Sequence, residues 1–304
     1  MDIIKKCLLW GFGNCFLENI NMVRYHEMRG HFQVIGITAN SFGYSEWGGY
    51  RFVDIEERKC LEYDFIIIMA KDRACREIMK EALECGIPQE KIFTYRILRH
   101  EKIELDRYIQ IRKEPLTIFS NNCWGGITYH SLDMEFFSPL VNMWIEEQDY
   151  MTFLINPQYY IEQDIEFIEM KVMESGNSYP LAKCGDIILH FNHHNTYEDA
   201  KESWEKRKKR INWNNLFVEM HTWSEFVADE FMELPYKRKI CFVPFKTNGK
   251  SLIYIPYREN ERLANVHFWE IVNGMARGKY PYYDVLDLIE NGKITIKKDF
   301  FEQK

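Results

Sequence analysis

An unbroken apolar run, Phe65 to Met69, constrains the fold of this chain more than any other segment. A strand with one face in water alternates apolar and polar residues, whereas a strand covered on both faces is apolar throughout. Strands of the second kind pair in parallel, and right-handed crossovers connect them. The run therefore predicts a parallel sheet in an α/β fold.

The first hundred or so residues continue this pattern. Gly86 and Pro88 give a clear end to one of the helices. We predict an N-terminal domain, residues 1–110, with a Rossmann-like parallel sheet. Its predicted strands are 6–10, 33–38, 65–69 and 91–95, and its predicted helices end near Met28 and Cys85.

Gly11 and Gly13 follow the first predicted strand and occupy the first two positions of the dinucleotide-binding fingerprint. Glycine there allows a tight turn and the close approach of a phosphate. Phe16 stands at the third glycine position, and Ala39-Asn40 replaces the acidic residue that would bind a ribose hydroxyl. Gly11 and Gly13 are candidate cofactor-binding residues on an incomplete motif, and a scaffold that binds nothing tightly is the alternative.

Residues 111–304 are predicted to form a second, larger α/β domain. Thr196 with Asp199, and Thr222 with Glu225, have the spacing of residues that cap a helix. The predicted strands are 116–119, 151–155, 186–191, 216–220, 240–245 and 251–257, and the predicted helices are 127–147, 158–175, 197–211, 223–233 and 261–274.

A loop over residues 120–126 connects a predicted strand to a predicted helix. In an open α/β sheet such loops form the ligand crevice, and a glycine-containing loop before a helix offers N–H groups to an anion. Amides can bind sugar hydroxyls and tryptophan can stack on a sugar ring, although asparagine and glycine also make plain turns. The candidate substrate-binding residues here are Asn121, Asn122, Trp124, Gly125 and Gly126.

Three histidines, His190, His193 and His194, lie close together at the end of the strand predicted over 186–191. That end is expected at the same sheet edge as the 120–126 loop. Histidine titrates near neutral pH and suits a general base, so His190 and His193 are the candidate catalytic residues. No metal site is predicted because further ligands with diagnostic spacing are missing. Hydrogen-bonded structural histidines are the alternative.

An apolar stripe on the helix predicted over 197–211 includes one arginine. Arg207 falls on the buried side, where its charge needs a carboxylate or a phosphate. Two alternatives are open for the partner of this charge. One is an internal ion pair, for example with Asp186, and the other is a bound phosphate or sugar acid. Arg210 and Asn212 join Arg207 as candidate substrate-binding residues. The stripe consists of Tyr197, Ala200, Trp204, Arg207 and Ile211.

Composition excludes several functional classes. The formal net charge is −7 and the basic residues are scattered except in one helix, so no nucleic-acid partner is expected. The eight cysteines form no C-x-x-C pair, which favours reduced thiols in the cytoplasm. No segment reaches the roughly 18 apolar residues of a membrane span. We therefore predict a cytoplasmic protein without a membrane span.

Several motifs of the second domain carry a resemblance over roughly residues 115–260. They are 119–126, Ser138-Pro139 with Asn142, Tyr179-Pro180, and the run from His190 through Trp204, Arg207, Arg210 and Asn212 to Val218. This region resembles a bacterial domain-of-unknown-function family often labelled exopolysaccharide- or capsule-biosynthesis proteins. The N-terminal part resembles the small Rossmann-like modules that precede transferase domains in surface-sugar biosynthesis. The resemblance implies a role in building surface glycans but no particular reaction.

Two functions remain open. The first is a transferase, glycosyl or acyl, for a small-molecule or glycan substrate in cell-surface polysaccharide biosynthesis, with a nucleotide sugar as the candidate donor. His190 or His193 would deprotonate an acceptor hydroxyl, and Arg207 or Arg210 would neutralise a diphosphate. The second is a non-catalytic sugar-binding or assembly module for glycan enzymes. An aromatic content of 15% suits sugar stacking and protein interfaces equally.

Overall fold

The computed structural model describes residues 4–40, 43, 45–173, 176–257, 265–278 and 284–291. The chain divides into two compact units: Met1–Lys113 with Ser131–Asp133, and Glu114–His130 with Met134–Lys304. Each unit combines helices with a parallel sheet. The predicted α/β class with two domains is therefore confirmed.

The first unit is built on a four-stranded parallel sheet in the order β2-β1-β5-β6. Every residue of the strand that begins at Phe65 is buried, as its unbroken apolar sequence predicts. A small hairpin, β3 with β4, and helix α2 were not predicted. The elements are β1 (Lys6–Trp10), α1 (Asn14–Met28), β2 (Gln33–Thr38), β3 (Glu46–Trp47), β4 (Tyr50–Arg51), α2 (Ile55–Cys60), β5 (Phe65–Ile68), α3 (Asp72–Glu84), β6 (Ile92–Thr94) and α4 (Leu105–Lys113).

The second unit contains a four-stranded parallel sheet in the order β13-β12-β11-β7 and a separate antiparallel sheet in the order β10-β9-β8. The two sheets share one hydrophobic core with helices α6, α8 and α9. The elements are β7 (Thr117–Ser120), α5 (Trp124–Ser131), α6 (Glu147–Ile155), α7 (Pro157–Glu162), β8 (Ile165–Val172), β9 (Ser178–Cys184), β10 (Ile187–His190), α8 (Tyr197–Lys208), β11 (Leu216–His221), α9 (Glu225–Glu233), β12 (Lys239–Val243), β13 (Leu252–Tyr254), α10 (Phe268–Ala276) and α11 (Val285–Asn291).

The predictions between residues 127 and 175 are largely wrong. The helix expected over 127–147 ends at Ser131, because Asp133 has a φ angle of 51°, which an α-helix does not allow. Asn142, with a φ angle of 62°, also could not lie within a helix. The segment 151–155 lies in helix α6, since a short apolar run fits a buried helix as well as a strand. The helix expected over 158–175 ends at Glu162, and strand β8 follows.

One of the two predicted helix caps is confirmed. The Thr196 side chain accepts a hydrogen bond from the Asp199 N–H at the start of α8. The Thr222 cap is wrong, because α9 begins after Ser224, whose hydroxyl accepts from the Val227 N–H. The helix expected from residue 261 begins at Phe268 within the described part of the chain, and residues 261–264 lie outside it.

Replacing Thr196 with alanine is expected to destabilise the protein by about 1 kcal/mol, because an N–H of the first turn of α8 loses its acceptor. Urea denaturation measures the change. Thr196→Ser keeps the hydroxyl and serves as the control. An alanine variant as stable as the serine variant would show that this cap contributes nothing.

A helix that crosses a bilayer needs about 20 mostly apolar residues. Among the described residues, no helix is both long enough and apolar enough to cross a membrane.

Candidate functional site

The loops after β7 and β10 meet through a cysteine and a histidine. The Sγ atom of Cys123 lies 3.3 Å from Nε2 of His193. Cys123 is half-buried and His193 is exposed, so molecules in solution can reach the pair. The prediction that both strands belong to one parallel sheet is wrong, because β10 lies in the antiparallel sheet.

Backbone hydrogen bonds of His190 explain why the end of β10 lies next to the 120–126 loop. His190 and Trp144 exchange two N–H···O=C hydrogen bonds of 3.0 Å. Ile145 in turn donates its N–H to the Asn121 carbonyl at the end of β7. The irregular segment after α5 therefore joins the antiparallel sheet to the 120–126 loop.

Cys123 lies immediately before helix α5. The Asn122 side-chain oxygen accepts a 2.6 Å hydrogen bond from the Trp124 N–H and so anchors the first turn of the helix. A Cβ at Gly125 would lie 3.1 Å from the Ser120 Cβ, and a Cβ at Gly126 would lie 3.0 Å from a Val141 methyl. Both glycines are therefore required for close packing. Their predicted role in binding an anion stays a prediction.

The thiol and the imidazole are both neutral at neutral pH. Burial raises the pKa of Cys123, and Glu219 adds to this effect while Arg277 opposes it. Desolvation, and then the positive charge of Arg277, lower the pKa of His193 below its ordinary value. With the ring proton on Nδ1, His193 can accept a hydrogen bond from the thiol through Nε2. The pair is therefore a thiol next to a free base.

A buried carboxyl lies under this loop. Glu219 of β11 is fully buried, and its Oε2 lies 2.6 Å from the Ser120 hydroxyl and 3.2 Å from the Asn122 amide nitrogen. Burial raises the pKa of Glu219 to about 8, although the hydrogen bonds from Ser120 and Asn122 lower it in part. Glu219 is therefore mainly protonated at neutral pH. The Ser120 hydroxyl donates to the Glu219 carboxyl, and its oxygen also lies 3.1 Å from the Asn122 carbonyl oxygen.

The two predicted sugar-binding amides take part in this internal network. The Asn122 amide nitrogen lies 2.9 Å from the Asn121 side-chain oxygen and 2.8 Å from Nδ1 of His221. Burial lowers the pKa of His221 to about 4, so its ring is a neutral acceptor. Asn121 and Asn122 are themselves buried. This placement supports a role in holding the loop, and their binding of sugar hydroxyls stays a prediction.

Trp124 does not present its ring to solvent. Its side chain is fully buried and stacks on Phe217 with a centroid distance of 5.8 Å. This position gives no support to stacking on a sugar ring, which stays a prediction.

His190 is more enclosed than His193. Its ring stacks on Trp144 with a centroid distance of 3.7 Å, and Nδ1 lies 3.1 Å from the Tyr179 hydroxyl. Burial lowers the pKa of His190 to about 4. Of the two predicted catalytic histidines, His193 is the one whose ring lies next to a thiol. A catalytic role for either histidine stays a prediction.

Arg207 has no carboxylate partner among the described residues. Its Nη1 donates to the Val141 carbonyl at 2.7 Å, and its guanidinium lies 5.3 Å from the centre of the Phe136 ring. The suggested ion pair with Asp186 is wrong: among the described residues Arg207 donates to a backbone carbonyl and forms no ion pair, and Asp186 accepts a hydrogen bond from Tyr160. A bound anion at Arg207 stays a prediction.

Arg210 and Asn212 hold neighbouring segments of the second unit. Arg210 forms an ion pair of 2.6 Å with Glu135. The Asn212 side chain donates to the Pro115 carbonyl, and its N–H donates to the Thr117 hydroxyl. These contacts give both Arg210 and Asn212 a structural role. Their binding of substrate stays a prediction.

Gly11 and Gly13 line a cavity of about 630 Å³ in the first unit. Gly11 has φ of +117°, and a Cβ there would lie 3.1 Å from the Met69 carbonyl oxygen, so only glycine fits this turn. Cofactor binding in this cavity stays a prediction. Among the described residues, no group of three or more His, Cys, Asp or Glu side chains is arranged to hold a metal ion.

Sequence reasoning missed Cys123, Glu219 and His221 as parts of the site. A cysteine between a strand and a glycine-containing helix start is a usable signal for a nucleophile, provided that a histidine lies nearby in space. Glu219 also had a signal, because it is a carboxylic residue in the otherwise apolar stretch from Leu216 to Met220. His221 had no local signal.

The fold and the site define a class: an α/β protein with two units, the second of which carries a Cys–His pair at the end of a parallel strand. Residues 94–291 match the model of the domain of unknown function DUF1919, and residues 3–93 match the model described as C2185-like, N-terminal. The chain belongs to the DUF1919 family, which confirms the predicted membership of a domain-of-unknown-function family.

A relative from Haemophilus influenzae, named "Uncharacterized protein", supports this family relationship. It is 28% identical over 201 residues, which cover 63% of this chain and 92% of the relative.

Proposed function

We propose that this protein is an acyltransferase with Cys123 as the nucleophile and His193 as the general base. The 3.3 Å distance between the thiol sulfur and the imidazole nitrogen carries the proposal. A cysteine next to a histidine is a usual arrangement for nucleophilic catalysis, because the imidazole removes the thiol proton as the sulfur attacks. Of the two transferase reactions suggested by the sequence, this pair supports acyl transfer.

The reaction has two steps. In the first step, His193 accepts the thiol proton while the Cys123 sulfur bonds to the acyl carbonyl carbon, and the donor group leaves with that proton. This gives a thioester on Cys123. In the second step, His193 takes the proton of an acceptor hydroxyl, whose oxygen attacks the thioester carbonyl. The carbon–sulfur bond then breaks, and the sulfur regains a proton from His193.

The charges around the pair favour an anionic acyl donor. Arg277 is exposed, and its positive charge acts on both Cys123 and His193. A phosphate group of an acyl-CoA or an acyl phosphate would be attracted to such a cation.

A surface-glycan precursor is the proposed acceptor, with the reaction in the cytoplasm. The resemblance of residues 115–260 to proteins often labelled exopolysaccharide- or capsule-biosynthesis proteins supports this setting. A sugar hydroxyl also suits the second step chemically.

The test is to treat the full chain with acetyl-CoA or acetyl phosphate and to map acetyl groups on the cysteines by mass spectrometry. Cys123 is expected to become acylated, and Cys123→Ser to remove that adduct. Cys60 is the internal comparison, because it is exposed and forms no contact with a histidine among the described residues. The proposal fails if Cys60 reacts as readily as Cys123. Glycan binding without any thioester would instead favour the sugar-binding module.

A further inference from the structure

Strand β8 is an exposed edge of the antiparallel sheet. It has eight residues, of which Ile165 is buried and the other seven are exposed. β9 pairs with one of its edges, and no strand of the described residues pairs with the other. A free edge offers backbone N–H and C=O groups to another strand. At the start of β8 the Ile165 carbonyl already accepts a hydrogen bond from the Tyr197 hydroxyl.

A bulge in β8 places its apolar residues on one face. The pairing with β9 shifts between Phe167 and Glu169, so Ile168 is an extra residue. Without this shift, the two halves of the strand would direct their apolar residues to opposite faces. The resulting apolar face contains Ile165, Phe167, Met170 and Val172, and the other face contains Glu166, Glu169 and Lys171.

The apolar face of β8 extends beyond the core that covers the rest of the sheet. Phe167 is 47% exposed, Met170 39% and Val172 66%. The Tyr197 ring of α8 lies 5.3 Å from the Phe167 ring and covers only part of this row. Ile168, the bulged residue, is 44% exposed. The free edge therefore carries a contiguous group of apolar side chains.

We propose that β8 pairs antiparallel with β8 of a second copy of this chain. In the register that overlaps all eight residues, Glu166 lies opposite Lys171 of the second copy, and Phe167 lies opposite Met170 of the second copy. Ile165 lies opposite Val172 of the second copy. Because the pairing has twofold symmetry, each of these contacts occurs twice.

The self-complementarity of this register singles out a second copy as the partner. Residues directly opposite one another in an antiparallel pair lie on the same face. Away from the bulge, apolar residues meet apolar ones and a carboxylate meets an ammonium group, while the central pair on either side of the axis is Ile168 with Glu169 of the second copy. The bulge at Ile168 lies next to the twofold axis in both chains, so it does not disturb the register. A shift of two residues in one direction would instead place Glu166 opposite Glu169 of the second copy, and a shift in the other direction would place Glu169 opposite Met170 of the second copy.

The test is sedimentation velocity on the full chain over a wide range of concentrations. The wild type is expected to form a dimer. Glu166→Lys or Lys171→Glu alone turns two attractive pairs into repulsive ones and is expected to weaken dimerisation by roughly tenfold. The double variant Glu166→Lys/Lys171→Glu, and an equal mixture of the two single variants, restore opposite charges and should restore dimerisation.

Lys206→Glu is the control, because it makes the same charge change on the exposed side of α8 and should leave dimerisation unchanged. Circular dichroism verifies that each variant is folded. A wild type that stays monomeric at all concentrations overturns the proposal. So does a dimer whose dissociation constant is the same in both single variants as in the wild type, or a double variant that dimerises no better than the single ones.

Discussion

Replacing His193 with alanine is expected to slow the acylation of Cys123 by about 10²–10⁴-fold, the usual contribution of a positioned general base. The wild-type thiol is protonated at neutral pH because burial raises the pKa of Cys123. Attack therefore requires a base, and Nε2 of His193 at 3.3 Å is in position to accept the proton. The rate of acetyl incorporation from acetyl phosphate, followed by mass spectrometry, measures the loss.

The pH dependence of the wild type provides a second readout. His193 must be neutral to accept a proton, and desolvation together with Arg277 lowers the pKa of His193 from its ordinary value of 6.5. The acylation rate should therefore be at its plateau at pH 7 and should fall at acidic pH, below 6.5. The His193→Ala variant should lack this dependence.

His194→Ala is the matched control for this experiment. His194 is the neighbouring residue, and its ring contacts Phe191 in the core. It should retain most of the acylation rate and the same loss of rate at low pH. Equal losses in the two variants, or an unchanged acid dependence in His193→Ala, would remove His193 from the mechanism.

Replacing Glu219 with glutamine is expected to change how stability depends on pH. Burial raises the pKa of Glu219 from an ordinary value of 4.5 to about 8. Between these values the folded state retains a proton that the unfolded state has released, so the wild type loses stability as pH rises. The stabilising contribution of this group is complete below about pH 4.5 and is lost as pH rises through 8. The slope from one such group is up to about 1.4 kcal/mol per pH unit.

Glutamine has almost the same shape and does not ionise, so the Glu219→Gln variant should gain stability relative to the wild type as pH rises from 5 to 8. Urea denaturation at each pH measures the difference. Glu230→Gln removes an exposed carboxyl of helix α9 and is the matched control. A constant difference between Glu219→Gln and the wild type over this range would show that Glu219 does not hold a proton in the folded state.

The sequence predicted best those elements whose signals are local. The strands β1, β2, β5 and β6 are short apolar runs bounded by turns and helices, and their predicted ranges agree closely with the structure. Strand β8 was missed because its bulge interrupts the alternation of apolar and polar residues that identifies a half-buried strand. Helix α6 was taken for a strand, since five apolar or small residues fit either structure until neighbouring segments decide.

The candidate site was predictable only in part. The rule that ligands bind where parallel strands end drew attention to the 120–126 loop. The same rule also placed the loop after β10 beside it. The reason was incorrect, because β10 pairs with β9 instead of joining the parallel sheet. Trp124 looked available for a sugar, but a tryptophan in the first turn of a helix can equally turn inward, and here it is fully buried.

The sequence by itself determined the α/β class, the two-part organisation of secondary structure and the two loops that come together, because periodicity, glycine turns and helix caps depend on neighbours within a few residues. Only the tertiary structure decided that Cys123 meets His193 across 70 positions of the chain, and that Glu219 lies beneath them without contact with water. Distances between remote residues, and the burial that shifts a pKa, exist only once the chain has packed.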